Sequence, residues 1–116
     1  MRFKVHRSGL QTHIQDQPRD GFAHYGISPS GPADIIAYQY GNYLVQNKIN
    51  TASLEIALFG PKIEFLDAGY IAITGSKFLI KIDDTDLLYN RLIKLEKGQL
   101  LDIGSAIEGA RCYLSI

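Results

Sequence analysis

The sequence predicts a mainly β fold with one principal helix, and three observations carry that reading. Apolar and polar side chains alternate with a two-residue period through most of the chain, as half-buried strands require. Gly, Pro, Asn and Asp punctuate these runs at intervals of ~8–12 residues, the spacing of a sandwich or barrel. A single stretch abandons that period and repeats its apolar residues at three- and four-residue spacing, which is helical.

The elements follow in order. Met1, Phe3 and Val5 fall on one face of a first strand, with Arg2, Lys4 and His6 on the other. Ser8-Gly9 interrupts it, and Leu10, Thr12 and Ile14 then alternate with Gln11, His13 and Gln15. A turn-rich segment from Asp16 to Gly31 is longer than a simple connection needs, and loops of that kind often carry function. Ser30-Gly31 supplies a helix cap, Pro32 suits the first helical position, and Asp34 favours the helix dipole. The spacing of Ala33, Ile36, Ala37, Tyr40 and Leu44 predicts a helix over roughly 32–46 with these residues as its buried stripe, Gly41 weakening its interior and Asn47 closing it. Beyond it, Leu54, Ile56 and Leu58, then Ile63 and Phe65, then Ile71 and Ile73, then Phe78, Ile80 and Ile82 read as strands. Asp83-Asp84 marks a turn, the stretch Leu87 to Leu95 holds two short strands around Asn90-Arg91, and Leu100 to Gly104 follows the Glu96-Lys97-Gly98 turn. Ala110, Cys112, Leu114 and Ile116 form the apolar face of a last strand. Because that face is still in progress at Ile116, the strand reads as a truncation or as an edge that another segment normally pairs with. Self-association as a symmetric dimer is therefore expected, with pairing of the last strand to the first as the alternative.

Bulk properties narrow the function classes. With 116 residues and 46% hydrophobic content the chain suits one β-rich domain over 1–116. Lys plus Arg and Asp plus Glu each number 12, so no basic excess points to nucleic acid or an anionic membrane. No apolar run reaches the length of a membrane span. Cys112 is the sole cysteine, which rules out a disulfide within the chain and fits a cytoplasmic location.

Several residues could carry chemistry. His6, His13 and His24 lack metal-ligand spacing and read as surface histidines, so no metal site is expected. Cys112 sits among apolar neighbours and reads as a small core residue. Arg19, in the polar run Gln15 to Gly21, could clamp a carboxylate or phosphate through its planar fork, or pair locally with Asp16 and Asp20. Ser28, Ser30 and the amides at the helix start could hold an anion or a developing oxyanion, or serve only as a cap. Glu55 is a strand carboxylate opposite Leu54 and Ile56, and such a residue on its own is usually solvated. Arg19 and Asp34 are expected to line a shared polar pocket. The general base is unassigned.

Taken together, Gly9-Leu10-Gln11-Thr12-His13-Ile14-Gln15-Asp16, Arg19-Asp20-Gly21-Phe22 and Gly26-Ile27-Ser28-Pro29-Ser30-Gly31-Pro32-Ala33-Asp34 form an ordered signature. It continues through Asn42 to Asn47, Leu54-Glu55-Ile56-Ala57-Leu58-Phe59-Gly60-Pro61, Ile73-Thr74-Gly75 and Gly109-Ala110-Arg111-Cys112-Tyr113-Leu114. This set resembles the N-terminal part of the biotin-dependent carboxyltransferase family, also called allophanate hydrolase subunit 2 or the 5-oxoprolinase C-subunit family. Members include an antagonist of a sporulation-kinase inhibitor and resemble part of urea carboxylase. The chain departs from the family at Gln17-Pro18-Arg19-Asp20, where a glycine-rich start is usual, and at Gln39-Tyr40-Gly41-Asn42, where Leu-Ala-Asn is usual.

The resemblance implies a cyclophilin-like β-barrel, a subunit-B-like partner, and a further C-terminal portion of the family domain. It also implies work on a small amide or urea-like substrate. The first expectation is a portion of a 5-oxoprolinase-like hydrolase that opens 5-oxoproline to glutamate with ATP in the full complex, this chain being inactive alone. The second is a urea-directed carboxyltransferase served by biotin carried on another protein. The third is a non-enzymatic binding or regulatory module. Arg19, Ser28, Ser30, Asp34 and Glu55 are the candidate substrate-binding residues.

Overall fold

A computed structural model describes residues 1–15, 32–87 and 89–116. In chain order the described elements are β1 (Phe3–Arg7), β2 (Gln11–Gln15), α1 (Ile35–Leu44), β3 (Ser53–Ala57), β4 (Lys62–Phe65), β5 (Gly69–Gly75), β6 (Phe78–Ile82), β7 (Thr85–Asp86), β8 (Arg91–Leu95), β9 (Leu100–Ala106) and β10 (Arg111–Ser115). They pair as two five-stranded antiparallel sheets, β1-β4-β9-β6-β7 and β2-β3-β10-β5-β8. The fold is therefore mainly β, as expected. The expected cyclophilin-like barrel does not close: among the described strands each sheet ends in two open edges, and Phe59, just past β3, makes an isolated bridge to Ser105 of β9. At that crossing Gly60 lies against Ile103, where a β-carbon would sit 2.4 Å from its Cγ2.

One core fills the space between the sheets. Ile63, Phe65, Leu101 and Ile103 from the first sheet meet Ile56, Ile71, Ile73, Leu95 and Leu114 from the second. Burying one such side chain stabilises the fold by about 1.5–3 kcal/mol. Cys112 belongs to this core, and burial pushes its thiol pKa up to about 12, as befits a small packed residue. The Asp83-Asp84 turn also forms as read. Both residues take positive φ (48° and 65°), the geometry of a tight hairpin turn, and Asp83 Oδ1 accepts the Leu100 amide at 2.9 Å.

The last strand corrects the sequence reading. β10 is the middle strand of its sheet, bonded to β3 on one side and β5 on the other. It is neither an edge nor a partner of β1, so the expectation of a dimer built on it loses its basis. The unpaired positions fall instead to short strands such as β1, whose Phe3 and Val5 remain largely exposed.

The helix also differs from its prediction. It runs Ile35–Leu44, with Asp34 as the N-cap accepting the Ala37 amide at 3.1 Å, so Pro32 lies outside it. At the other end Gln46, with φ 63°, takes the left-handed position expected of Asn47. The Gln46 amide donates to Tyr43 O and the Asn47 amide to Asn42 O, the paired bonds of a Schellman ending. The buried face is Ala37, Tyr38, Gly41 and Asn42, while Ile36 is 78% exposed. Gly41 explains the rotation. A β-carbon there would lie 2.4 Å from Ser115 Oγ and 3.0 Å from Thr74 Oγ1, so glycine is what lets α1 settle on β5 and β10. Asn42 Nδ2 then ties the helix to Ile49 O and Thr51 O, and Tyr38 Oη donates to Thr51 O. Among the described residues no helix is long and apolar enough to cross a membrane.

Candidate functional site

Side chains of β10 alternate, so the face opposite Cys112 and Leu114 carries Arg111, Tyr113 and Ser115. Antiparallel register sets two rows across this outer face. One contains His13, Glu55, Tyr113 and Thr74, and the next contains Gln11, Ala57 and Arg111. Helix α1 covers the β5 and β10 side, so polar groups become enclosed between helix and sheet.

Glu55 and Tyr113 are the centre of this layer. Glu55 is only 8% exposed, in contrast to the solvated strand carboxylate its local sequence suggests. The Tyr113 hydroxyl donates to Glu55 Oε2 at 2.6 Å and accepts the Asp34 amide at 2.8 Å. Glu55 Oε2 also accepts the Ala33 amide at 2.8 Å. Burial first, and then the bond to Glu55, push the Tyr113 phenol pKa well above its ordinary value. The hydroxyl therefore stays protonated and remains a donor. The Tyr113 ring packs edge-on against Tyr38, with centroids 6.3 Å apart. On the other side of the carboxylate, Glu55 Oε1 lies 3.7 Å from Arg111 Nε.

Asp34 and Glu55 are thus brought to one place, linked through Tyr113. They act on the segment entering α1 rather than projecting into open space. The amides of Ala33, Asp34 and Ala37 are taken by Glu55, Tyr113 and Asp34 respectively. This removes three donors that an anion or oxyanion at the helix start would need. Among the described residues two of those amides are bonded by the Glu55 and Asp34 carboxylates, whose charge disfavours a phosphate there as well. Arg19, Ser28 and Ser30 lie outside the described residues, and so does the Arg19 half of the expected pocket. Asp34 does border a shallow groove with Ile36, Ala37, Tyr40, Gly75 and Asn90.

Among the remaining candidates, His6 Nε2 meets Glu64 Oε1 at 2.9 Å on the exposed face of the first sheet, and His13 is exposed. His24 lies outside the described residues. Local sequence does not single out Tyr113 and Arg111 as functional. The signal they carry is alternation with Cys112 and Leu114, which gives a face but not what covers it.

Comparison with known proteins places this architecture. Saccharomyces cerevisiae urea amidolyase is 37% identical over 109 residues, which is 93% of this chain and 6% of that protein. The Escherichia coli 5-oxoprolinase C-subunit is 34% identical over 113 residues, 97% of this chain and 36% of that protein. The crystal structure of Kluyveromyces lactis urea carboxylase superposes with a TM-score of 0.94 at 36% identity, over 98% of this chain and 10% of that one. The chain therefore spans a minor part of each of these relatives. Residues 25–116 match the carboxyltransferase domain, subdomain A and B. With its two-sheet architecture, its ordered motifs and that match, the chain belongs to the carboxyltransferase domain, subdomain A and B, family, related to the 5-oxoprolinase C-subunit and urea amidolyase.

Proposed function

We propose that this chain contributes part of a 5-oxoprolinase-like subunit, which acts on a small cyclic amide together with a subunit-B-like partner. The reaction is the opening of 5-oxoproline to glutamate, with ATP used by the full complex. The observation that carries this reading is the polar layer around Glu55 and Tyr113. In a domain of this size a buried carboxylate bonded to a buried phenol stabilises less than apolar packing would, so its use lies in fixing geometry. What it fixes is the segment leading into α1, which follows Arg19, Ser28 and Ser30. In this reading those three residues contact the substrate, while Asp34 and Glu55 hold the end of their segment in register. The similarity to the 5-oxoprolinase C-subunit along 97% of the chain supports the same assignment.

A second reading has its own support. The 37% identity to urea amidolyase and the TM-score of 0.94 to urea carboxylase favour a carboxyltransferase that moves a carboxyl group to urea from biotin carried on another protein. The polypeptide carrying this chain, assembled with its partner subunits, separates the two. Glutamate formation from 5-oxoproline with ATP is the expected result, and an Arg19→Ala variant should lose most of it with little change in melting temperature. Carboxylation of urea without 5-oxoproline turnover would transfer the assignment to the second reading. Activity on neither would leave a binding module.

A further inference from the structure

The outer face of the β2-β3-β10 part of the sheet holds a cation with an unused end. Arg111 sits in the register row Gln11–Ala57–Arg111, beside the row His13–Glu55–Tyr113. Its side chain is 44% exposed, whereas that of Glu55 beneath it is 10% exposed. The shortest approach to Glu55 is from Nε, and at 3.7 Å from Oε1 that contact is an ion pair too long for a hydrogen bond. Among the described residues the Arg111 guanidinium makes no hydrogen bond. Glu55 is itself held from the far side by the Tyr113 hydroxyl at 2.6 Å and the Ala33 amide at 2.8 Å, so it forms a fixed anchor for the Nε edge.

A half-exposed guanidinium with no hydrogen bond of its own can turn a pair of parallel N–H donors to a ligand, the arrangement that matches a carboxylate in a bidentate pair. Gln11 and His13 are exposed on the same face and add an amide and an imidazole donor. Ala57 stands between Gln11 and Arg111 across the row, which places the two longer side chains on either side of it. The geometry points to Arg111, flanked by Gln11 and His13, as a binding site for a small carboxylate ligand. Choosing 5-oxoproline as the ligand to test rests on the function proposed above, since that lactam carries a carboxylate and urea does not.

The chain can be titrated separately with L-5-oxoproline, with acetate, with 2-pyrrolidinone (the same lactam lacking the carboxylate) and with urea. The Arg111 Nε–H signal in nuclear magnetic resonance spectra reports occupancy. Both carboxylates should shift it, and the two neutral compounds should bind at least about 10-fold more weakly than 5-oxoproline. Arg111→Gln should lower affinity for 5-oxoproline about 10–100-fold, with the remaining amide signals unmoved. Arg111→Lys should lose less, because it keeps the charge and gives up the planar fork. Equal binding of 2-pyrrolidinone and 5-oxoproline, unchanged affinity in both variants, or no carboxylate-dependent shift would each overturn the site. Carboxylate binding at Arg111 without 5-oxoproline turnover by the assembled enzyme would uphold the site and remove the proposed function. Turnover unaffected by Arg111→Gln would remove the site and leave that function in place.

Discussion

On the inner face of β10, Cys112 and Leu114 pack among Ile56, Ile73 and the other side chains of the inter-sheet core. On its outer face, Tyr113 and Ser115 are as completely enclosed, yet they meet Glu55, the Asp34 amide and Ser53 Oγ through hydrogen bonds. Equal burial thus serves two different ends within one strand. Dispersion and water exclusion hold the inner face, and they tolerate any neighbour of suitable volume. Directional bonds hold the outer face, so they specify where the chain enters α1.

That contrast can be broken most forcefully from the inside. Leu114→Ala removes a 1% exposed side chain from the core and should cost about 2–5 kcal/mol in urea unfolding. A loss below about 1 kcal/mol would mean that the core can collapse around the gap. Tyr113→Phe keeps the ring and removes only the hydroxyl, leaving Glu55 and the Asp34 amide each short of a partner. The expected cost is about 1–3 kcal/mol, together with faster hydrogen exchange at Asp34. Unchanged exchange there would show that the hydroxyl does not position the helix entry.

Gly41→Ala tests the contact between helix and sheet. In an exposed helix this change gains about 1 kcal/mol. Here the new methyl meets Ser115 Oγ and Thr74 Oγ1, so the sign should reverse to a loss of about 1–3 kcal/mol. Adding Ser115→Ala should recover part of that loss, and a stabilised Gly41→Ala variant would contradict the packing described. A last effect is confined to alkaline pH and belongs to the inner face. Burial raises the Cys112 thiol to about 12 in the folded protein, above its unfolded value. Its contribution is therefore fully present below the ordinary thiol pKa of about 8.5 and is lost as pH rises from there towards 12. Cys112→Ala should make the decline in stability above pH ~9 shallower and leave the neutral-pH slope unchanged.

Local sequence was a good guide wherever one residue's neighbours along the chain decided its fate. Alternation alone located β3 and β10, the Asp83-Asp84 pair alone indicated a tight turn, and an apolar setting alone identified Cys112 as core. The ordered motifs also carried the family. It was a poor guide where distant segments competed for the same residue. Both Ser30-Gly31-Pro32 and Asp34 are sound helix starts by local chemistry. The Tyr113 hydroxyl, 79 positions away, bonds the Asp34 amide and favours the second. Glu55 looks like a solvated strand carboxylate until Tyr113 and the Ala33 amide arrive on it.

The same division runs through the whole protein. Composition, period and turn chemistry determined that the described residues form short strands with one principal helix, because those signals act over a few residues. Which strand lies in the middle of a sheet, which helix face turns inward and which carboxylate becomes enclosed were decided only by tertiary structure. Each depends on hydrogen-bond register and close packing between residues far apart in the chain: β10 finds β3 and β5, and Gly41 admits Ser115, turning the buried face away from Ile36 and Tyr40 while keeping Ala37.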